Sequence, residues 1–324
     1  MCTAISFNSN GHYFGRTLDL ERRYNEQVVI TPRKFAFEFK FQEKIEAHYA
    51  IIGIATVIDD YPLYYDATNE YGLSMAGLNF VGNAHLEKKS KNGKINLAPY
   101  ELIPFILGTS QSVRESIELF EKINLVDEPF KSELPNAELH WIVSDKKESI
   151  TVEFMREERK IYNNPVGVLT NNPSFDYQMM NLNNYMQLTS ETPKNSFSKE
   201  ITLTPYSRGM GAIGLPGDLS SVSRFVRVCF TKMNSVKPIN YLDEIGQFFH
   251  ILGTVEQCEG CAKVGDHFEI TQYTSCCDTE KGIYYYKTYR NCRINAVGMY
   301  SENLDSCGLI CFDMIWDQEI KFNN

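Results

Sequence analysis

Short apolar segments, some alternating with polar residues, run through the first third of the chain. Turn signals such as Ser9-Asn10-Gly11 and Thr31-Pro32 separate these segments, and apolar runs bounded by turns are typical of β-strands. The run at 49–57 is apolar throughout, which suits a strand covered on both faces. The pattern predicts strands at residues 3–7, 13–18, 28–30, 49–57 and 71–79.

Helical periodicity follows. Apolar residues recur at i, i+3 and i+4 through 98–107 and 113–123, and Ser112 is suited to cap the second of these helices. Later in the chain, the apolar segments at 225–233 and 242–252 also look helical. We therefore expect four helices.

Strands return between the two pairs of helices and after them. The polar turn Asp145-Lys146-Lys147 predicts a hairpin, and Asn171-Asn172-Pro173 is a strong strand terminator. The strands predicted here are 139–144, 149–154, 167–170, 268–273, 283–289 and 294–299.

The order of strands, helices and strands predicts a layered α+β fold in one domain, residues 1–324. Residues 192–221 contain two turns rich in proline and glycine, yet they keep apolar side chains. We expect an ordered excursion there rather than a linker. The chain has no internal repeat and no alternating βαβ pattern, and it lacks a glycine-rich nucleotide loop.

Composition excludes several classes of protein. A chain that is 43% hydrophobic and 13% aromatic can form a packed core. The net charge of −9 argues against a nucleic-acid-binding protein, which needs a basic face. No apolar run reaches about 18 residues, the length of a membrane span, and the N-terminus does not resemble a secretory signal. We expect a cytoplasmic protein with a small-molecule substrate, and no nucleic-acid or membrane partner.

The nine cysteines favour a reducing compartment, because their number is odd and no export signal accompanies them. Cys258 and Cys261 form one C-x-x-C pair. A zinc site would need a second pair of ligands, for which His250, Cys276 and Cys277 are the candidates. Ordinary reduced thiols are the favoured interpretation, and we expect no metal.

Cys2 is the most informative residue for chemistry. If Met1 is removed, Cys2 carries a thiol and a free α-amine on one residue. An α-amine has an ordinary pKa close to neutral pH, so it can accept the thiol proton without a histidine. A nucleophile activated by its own terminal amine is a known form of covalent catalysis. The alternative is an unremarkable cysteine in a frayed terminus.

Arg16 and Asp19 supply a cation and a carboxylate in a strand that we expect to pair with the strand of Cys2. A cation near a thiol favours the thiolate. Residues three apart point to opposite faces of a regular strand, so joint action requires a bend or a strand end. The alternative is an exposed charge pair at a sheet edge.

Asn79 and Asn171 each end an apolar strand, and their carboxamides are candidate donors to an oxyanion, although asparagine is also an ordinary turn residue. Arg224 opens a predicted helix, where a cation opposes the helix dipole. It should therefore have a partner, such as a carboxylate, unless it lies on a solvated face. The histidines show no metal-binding pairing, and His140 reads as a core histidine.

Taken together, the segments resemble the choloylglycine hydrolase family, which includes bile salt hydrolases and penicillin V acylases. The resemblance covers essentially the whole chain. Its blocks are MCTAISF, YFGRTLDL, DDYPLYYDATNEYGLSMAGLNF, LHWIVSD, VGVLTNNPSFDYQ, IGLPGDLSSVSRFVR, FFHILGTVEQ and EKGIYYYKTY.

The resemblance implies an N-terminal nucleophile hydrolase fold, a four-layer αββα sandwich of two antiparallel sheets covered by helices, and a homotetramer in which residues 192–221 could take part. It implies no cofactor. The catalytic residues that it implies are Cys2 as nucleophile, Asp19 orienting its amine, Arg16 beside the thiol, Asn79 and Asn171 in the oxyanion hole, and Arg224 completing the polar shell.

At position 79 the chain resembles the bile-salt branch of the family, because it has asparagine there, whereas penicillin V acylases tend to have tyrosine. The hypothesis is therefore hydrolysis of the amide between a bile acid and glycine or taurine, with penicillin V acylase activity as the alternative. The substrate-binding residues that the resemblance implies are Leu18, Tyr24, Ile58, Tyr61, Tyr65, Phe130 and Leu134.

The chain departs from the family pattern at two places. Thr17 follows Arg16 where relatives usually have asparagine, and Arg22-Arg23 occupies a pocket loop that is often aromatic. The two arginines would favour an anionic glycine or taurine tail if they face the pocket, and would otherwise solvate the loop. A metal-binding regulator built on Cys258 and Cys261 is the rival from another class.

Overall fold

The computed structural model describes residues 1–324. Its strands are β1 Cys2–Asn8, β2 His12–Leu20, β3 Gln27–Thr31, β4 Ile51–Ile58, β5 Tyr61–Asn69, β6 Ser74–Asn79, β7 Ile95–Leu97, β8 Ile123–Leu125, β9 Leu139–Ser144, β10 Ser149–Phe154, β11 Arg159–Asn163, β12 Val168–Leu169, β13 Lys263–Val264, β14 His267–Phe268, β15 Ile270–Asp278, β16 Ile283–Thr288, β17 Asn295–Gly298 and β18 Ile310–Asp313. Its helices are α1 Leu102–Thr109, α2 Val113–Phe120, α3 Phe175–Asn181, α4 Ser221–Asn234 and α5 Tyr241–Gly253. None of the helices has the length and apolar character that a membrane span requires.

Two antiparallel sheets form the centre of the molecule. The six-stranded sheet has the order β12-β1-β2-β15-β16-β17, and the eight-stranded sheet has the order β11-β10-β9-β6-β5-β4-β3-β18. Short hairpin turns join β1 to β2 and β9 to β10, as the polar turn signals predict. The strand of Cys2 therefore pairs with the strand of Arg16 and Asp19, as expected.

The sheets face each other and helices cover their outer faces. One apolar core contains Ile5 and Phe14 of the six-stranded sheet, Ile52 and Leu78 of the other, and buried residues of α4 and α5 such as Phe248. A second core joins α1 and α2 to the opposite face of the eight-stranded sheet. The predicted four-layer αββα sandwich is confirmed.

Local signals explain several element ends. Ser112 caps α2, because its side chain accepts a hydrogen bond from the Glu115 N–H at 3.3 Å. The helix ends at Phe120 rather than at residue 123, since Ile123 already begins β8. Tyr71 and Gly72 form a turn in which Gly72 has φ +84°, so the strand predicted from residue 71 begins only at Ser74.

Six strands and one helix have no counterpart in the sequence prediction: β5, β7, β8, β11, β13, β18 and α3. Residues 192–220 form a long excursion whose only regular element is a 3₁₀ turn at Met210–Ala212. Several of its large apolar side chains, including Phe197 and Tyr206, are exposed.

Candidate active site

Cys2 lies where β1 begins, opposite Leu18 of β2, and its side chain is almost completely buried at 3% exposure. Its N–H donates to Oδ1 of Asn171 at 2.8 Å, and its carbonyl accepts from Nη1 of Arg224 at 2.5 Å. The terminus is therefore held on both sides of the nucleophile. The alternative of a frayed end is wrong for this chain.

Arg224 links three groups around Cys2. Besides the Cys2 carbonyl, it donates to Oγ1 of Thr3 at 2.6 Å and to Oδ1 of Asn171 at 2.8 Å. It is fully buried, so the solvated helix face is excluded. The expected carboxylate partner is also absent, because carbonyl and hydroxyl oxygens take its hydrogen bonds. Burial lowers the pKa of Arg224, and the nearby Asp19 carboxylate opposes this.

Asp19 is fully buried, and its backbone N–H donates to the carbonyl of Met1, next to Cys2, at 3.0 Å. It accepts hydrogen bonds from Oγ1 of Thr271 at 2.7 Å, from Oγ1 of Thr17 at 3.3 Å and from Nε2 of Gln257 at 3.4 Å. Burial raises the pKa of the Asp19 carboxyl, and the cation Arg224 opposes that rise. Thr17, which stands where relatives usually have asparagine, thus supports Asp19 directly through this hydrogen bond. The sequence did not reveal this role.

Arg16 is also buried, with 1% of its surface exposed. Its Nη1 donates to the carbonyls of Tyr65 at 3.1 Å and Gly77 at 2.6 Å, while its Nη2 has no partner in the chain. Burial lowers the pKa of Arg16, but nearby titratable side chains outweigh this effect and raise it, with Cys2 contributing most and Asp66 and Asp19 less. Arg16 and Asp19 are therefore not an exposed charge pair at a sheet edge.

β2 ends at Leu20, one residue after Asp19, so Asp19 lies at the strand end that would permit joint action with Arg16. The pairing of β2 with β15 also shifts register between Thr271 and Tyr273, opposite Asp19 and Leu18, and the extra residue of this bulge lies in β15. Arg16 and Asp19 each shift the pKa of the other, and Cys2 raises the pKa of Arg16.

The two asparagines differ in what they offer. The Asn79 carboxamide lines the cavity next to Cys2 and makes no hydrogen bond to another residue of the chain. Asn171 instead donates through Nδ2 to the Asn79 carbonyl at 2.9 Å, and its backbone N–H donates to Oγ of Ser221 at 2.9 Å. The side chain of Asn171 therefore holds the Cys2 N–H through Oδ1 and uses one of its two Nδ2 hydrogens, whereas both amide hydrogens of Asn79 are free.

Sequence reasoning missed Asp66, a buried carboxylate of β5. It accepts hydrogen bonds from the hydroxyls of Tyr273 at 2.8 Å, Ser275 at 3.1 Å and Tyr284. Burial raises the pKa of Asp66, and Arg16 opposes this. Asp66 follows Tyr65, whose carbonyl holds Arg16, so this network supports Arg16 from behind. An acidic residue inside the aromatic run YYDATN was the available signal.

A cavity of about 570 Å³ opens in front of Cys2. Its wall is mostly apolar, as in most small-molecule sites, and it includes Arg16 and Asn79. Six of the seven predicted substrate-binding residues line it: Leu18, Tyr24, Ile58, Tyr65, Phe130 and Leu134.

Tyr61 is the exception: the structure does not place it in the cavity wall, which corrects the predicted assignment. Its ring is 8% exposed and packs behind Tyr100 and Phe130, with ring centroids 5.8 and 5.6 Å away. Those two rings line the cavity themselves and screen Tyr61 from it. Tyr61 therefore lies behind the cavity wall and supports it.

The two loop arginines separate. Arg22 lines the cavity, and its Nε donates to the Tyr24 hydroxyl at 3.0 Å. Arg23 does not line it, since its guanidinium lies over the Trp316 ring at 4.0 Å from the centroid. Of the two alternatives, a pocket cation applies to Arg22 only.

The proposed zinc ligands do not converge. Cys258 and Cys261 are exposed, whereas Cys276 and Cys277 are buried within β15. No group of three or more His, Cys, Asp or Glu side chains is placed to hold a metal ion. His140 is buried and bonded to Glu153 at 3.0 Å and to the Thr170 carbonyl at 2.8 Å, which confirms it as a core histidine.

Comparison with known proteins finds similarity over the whole chain. The family described as "Linear amide C-N hydrolases, choloylglycine hydrolase family" matches residues 2–312. The chain is 54% identical to the bile salt hydrolase/transferase of Lactiplantibacillus plantarum, over 97% of both chains. Its structure matches a C2A mutant of the conjugated bile acid hydrolase from Clostridium perfringens with TM-score 0.93 and 36% identity, covering 100% of both chains. A penicillin V acylase from Agrobacterium tumefaciens shares the fold, with TM-score 0.74 and 20% identity over 96% and 91% of the two chains.

Proposed function

Because this chain belongs to the choloylglycine hydrolase family of linear amide C–N hydrolases, we propose that it cleaves the amide bond between a bile acid and glycine or taurine. The observation that carries the proposal is Cys2 at the wall of an apolar cavity of about 570 Å³, with two buried arginines and a buried aspartate around it. Relatives named as bile salt or conjugated bile acid hydrolases support the same substrate.

The proposed reaction begins after loss of Met1. The α-amine of Cys2 accepts the thiol proton, and the sulfur attacks the amide carbonyl to give a tetrahedral oxyanion. The amine then passes the proton to the leaving nitrogen, so glycine or taurine departs and a thioester remains. Water hydrolyses the thioester with the amine again acting as the base, which releases the bile acid and restores the thiol.

We assign roles according to the contacts of each group. Arg16 stabilises negative charge at Cys2, while Asn171 and Arg224 fix the residue that carries both nucleophile and base. Asp19 is the buried anion that offsets the two arginines and orients the amine. Asn79 is the free amide donor for the oxyanion, and such a donor is worth about 100- to 1,000-fold in rate. Asn171 stays a candidate second donor through the Nδ2 hydrogen that the Asn79 carbonyl does not take.

Penicillin V acylase activity is the alternative, because the same nucleophile and cavity can act on another amide. The discriminating feature is Asn79, since a tyrosine there is typical of the penicillin V branch. Arg22 at the cavity wall suits an anionic substrate but does not distinguish the two.

Turnover of glycocholate, taurocholate and penicillin V by the purified protein tests the proposal. We expect kcat/KM for the bile salts to exceed that for penicillin V at least about tenfold, and all three activities to vanish in Cys2→Ala. The matched control is Cys292→Ala, which removes an exposed thiol. Preferred turnover of penicillin V would overturn the substrate, and activity in Cys2→Ala would overturn the mechanism.

We further propose a cytoplasmic homotetramer in which residues 1–324, less Met1, act as one domain. Residues 192–221 are our candidate for the interface, because Phe197, Tyr206 and Ile213 expose 82%, 85% and 62% of their surface and exposed apolar patches mark interaction sites. Light scattering should give four chains per particle, and Phe197→Asp with Tyr206→Asp should lower that number. A monomeric parent protein would contradict the proposal.

A further inference from the structure

Cys258 and Cys261 lie at the two ends of a tight turn. The Cys261 N–H donates to the Cys258 carbonyl at 3.2 Å, and Gly260 has φ +95° at the third position, which is the pattern of a type II β-turn. The first and fourth Cα atoms of a β-turn lie within about 7 Å, close to the spacing that a disulfide needs. Both cysteines are exposed.

The turn is attached to the wall of the active site. Gln257, just before it, is 1% exposed and donates through its backbone N–H to Oγ1 of Thr271 at 2.8 Å. That same Thr271 hydroxyl and the Gln257 side chain are hydrogen-bonded to Asp19. Ala262, just after the turn, accepts from the Glu269 N–H at 2.8 Å. The segment 257–271 thus runs from one Asp19 partner to the other.

We propose that Cys258 and Cys261 are a redox modification site that exchanges with low-molecular-weight disulfides such as oxidised glutathione. One cysteine thiolate attacks the small disulfide, breaks its S–S bond and releases one thiol. The second cysteine then attacks the mixed disulfide and releases the other thiol. The protein loses two protons and two electrons, one intrachain S–S bond forms, and the small disulfide is reduced to two thiols.

The other cysteines do not offer this arrangement. Cys229, Cys276 and Cys277 are buried, so a dissolved disulfide cannot reach them while the chain stays folded. Cys2 opens onto the active-site cavity, but no second cysteine lines that cavity to resolve a mixed disulfide there. Cys292, Cys307 and Cys311 are exposed, but no backbone hydrogen bond joins any of them to a second cysteine. A mixed disulfide formed at one of these three has no neighbour on the same turn to resolve it.

The Cys258–Cys261 disulfide should affect the active site by limiting the local opening of the segment 257–271. The hairpin β13–β14 inside the segment consists of exposed residues, and exposed elements with few apolar contacts open most readily. Opening would separate Gln257 and Thr271 from Asp19. A disulfide restricts the open chain, so oxidation should slow the loss of amidase activity on heating. For a four-residue loop, the chain-entropy model limits this effect to about 20-fold.

The test uses the full-length protein, first reduced and then incubated with oxidised glutathione. Peptide mapping should place a disulfide between Cys258 and Cys261, and the peptide that contains both cysteines should be lighter by two hydrogen atoms and carry no glutathione. Cys261→Ser should instead keep a glutathione adduct at Cys258, while Cys292→Ser should form the same Cys258–Cys261 disulfide as the parent. Stable adducts at Cys258 in the parent, or a bond that involves other cysteines, would overturn the site.

A second measurement tests the link to Asp19 and relies on the proposed amidase function. The half-time of activity loss at a fixed temperature should lengthen several-fold on oxidation of the parent and stay unchanged in Cys258→Ser. Equal half-times for the oxidised and reduced parent would remove the link. The mass measurement needs no substrate, so the modification site and the amidase function can fail separately.

Discussion

At the residue scale, the chemistry depends on the few hydrogen bonds that hold Cys2 in place. Its N–H and its carbonyl are bonded to Asn171 and Arg224, and these two side chains are bonded to each other. Three groups on β1, on the loop after β12 and on α4 therefore form one closed set of hydrogen bonds. Arg224 also donates through Nε to the Leu219 carbonyl at 3.0 Å, so its guanidinium serves four acceptors, one more than the three N–H groups of a lysine ammonium can.

Arg224→Lys tests this set while keeping the charge. The lysine loses the fork that joins Cys2, Thr3 and Asn171, so we expect kcat/KM to fall at least about 100-fold, as small displacements of catalytic groups do. Steady-state kinetics on a conjugated bile acid measures the loss. Arg227→Lys is the matched control, because it removes a half-buried arginine of the same helix that bonds only to loop carbonyls. Equal losses in both variants would refute the special position of Arg224.

At the scale of elements, the approach of β2 to β15 sets the position of Arg16. Gly15 is a residue of β2, and a Cβ there would be 2.1 Å from the Ser275 carbonyl oxygen of β15. The backbones of Gly15 and Ser275 belong to paired strands, so neither can move away without parting the strands. The absence of a side chain at residue 15 is what lets Arg16 and Asp19 share one site.

Gly15→Ala should therefore destabilise the protein by about 1–3 kcal/mol, the usual cost of overpacking, and should lower activity further by shifting Arg16. Chemical denaturation with the amidase assay checks both effects. Gly246→Ala is the control: this glycine lies inside α5 with no atom within 4 Å of the added carbon, and alanine there should stabilise by about 0.5–1 kcal/mol. Gly15→Ala with parental stability would contradict the close approach.

How much the sequence predicts also follows from individual elements. Strands with local turn signals, such as β1, β2 and the β9–β10 hairpin, are predicted to within a few residues. β5 is missed because Pro62 and Asp66 interrupt its apolar pattern, and both are weak strand formers. Its pairing with β4 and β6 supplies what local propensity lacks.

For the site, too, some residues can be predicted from the sequence and others depend on packing between distant segments. Cys2, Arg16 and Asp19 are visible in the sequence because their residue types suit the chemistry, and the need for a bend between the last two is visible as well. The register shift of β15 opposite Asp19 depends on pairing with a segment some 250 residues away in the chain. Asp66 and the screened position of Tyr61 likewise depend on packing between distant segments, which no local pattern records.

At the scale of the whole molecule, buried polar networks tie the two sheets together. Asp66 of the eight-stranded sheet accepts from three hydroxyls of β15 and β16 in the six-stranded sheet. Far from Cys2, His12 of β2 bonds to Oγ1 of Thr279 at 2.8 Å and to Oγ of Ser6 at 3.0 Å, and Ser6 bonds to Ser144 of the other sheet. These links align the sheets on either side of the apolar core.

His12 makes this alignment sensitive to pH. Burial lowers the pKa of His12 from 6.5 to about 4, so between these values the unfolded chain binds a proton that the folded chain does not. Stability is therefore fully present above pH 6.5 and falls as the pH drops toward 4, by about 3 kcal/mol for this group. Urea denaturation across this pH range should show the slope, and His12→Gln should remove most of it while the exposed His267→Gln keeps it. If His12→Gln retains the parental slope, carboxyl groups whose pKa the fold lowers, such as Glu244, govern the acid sensitivity instead of this histidine.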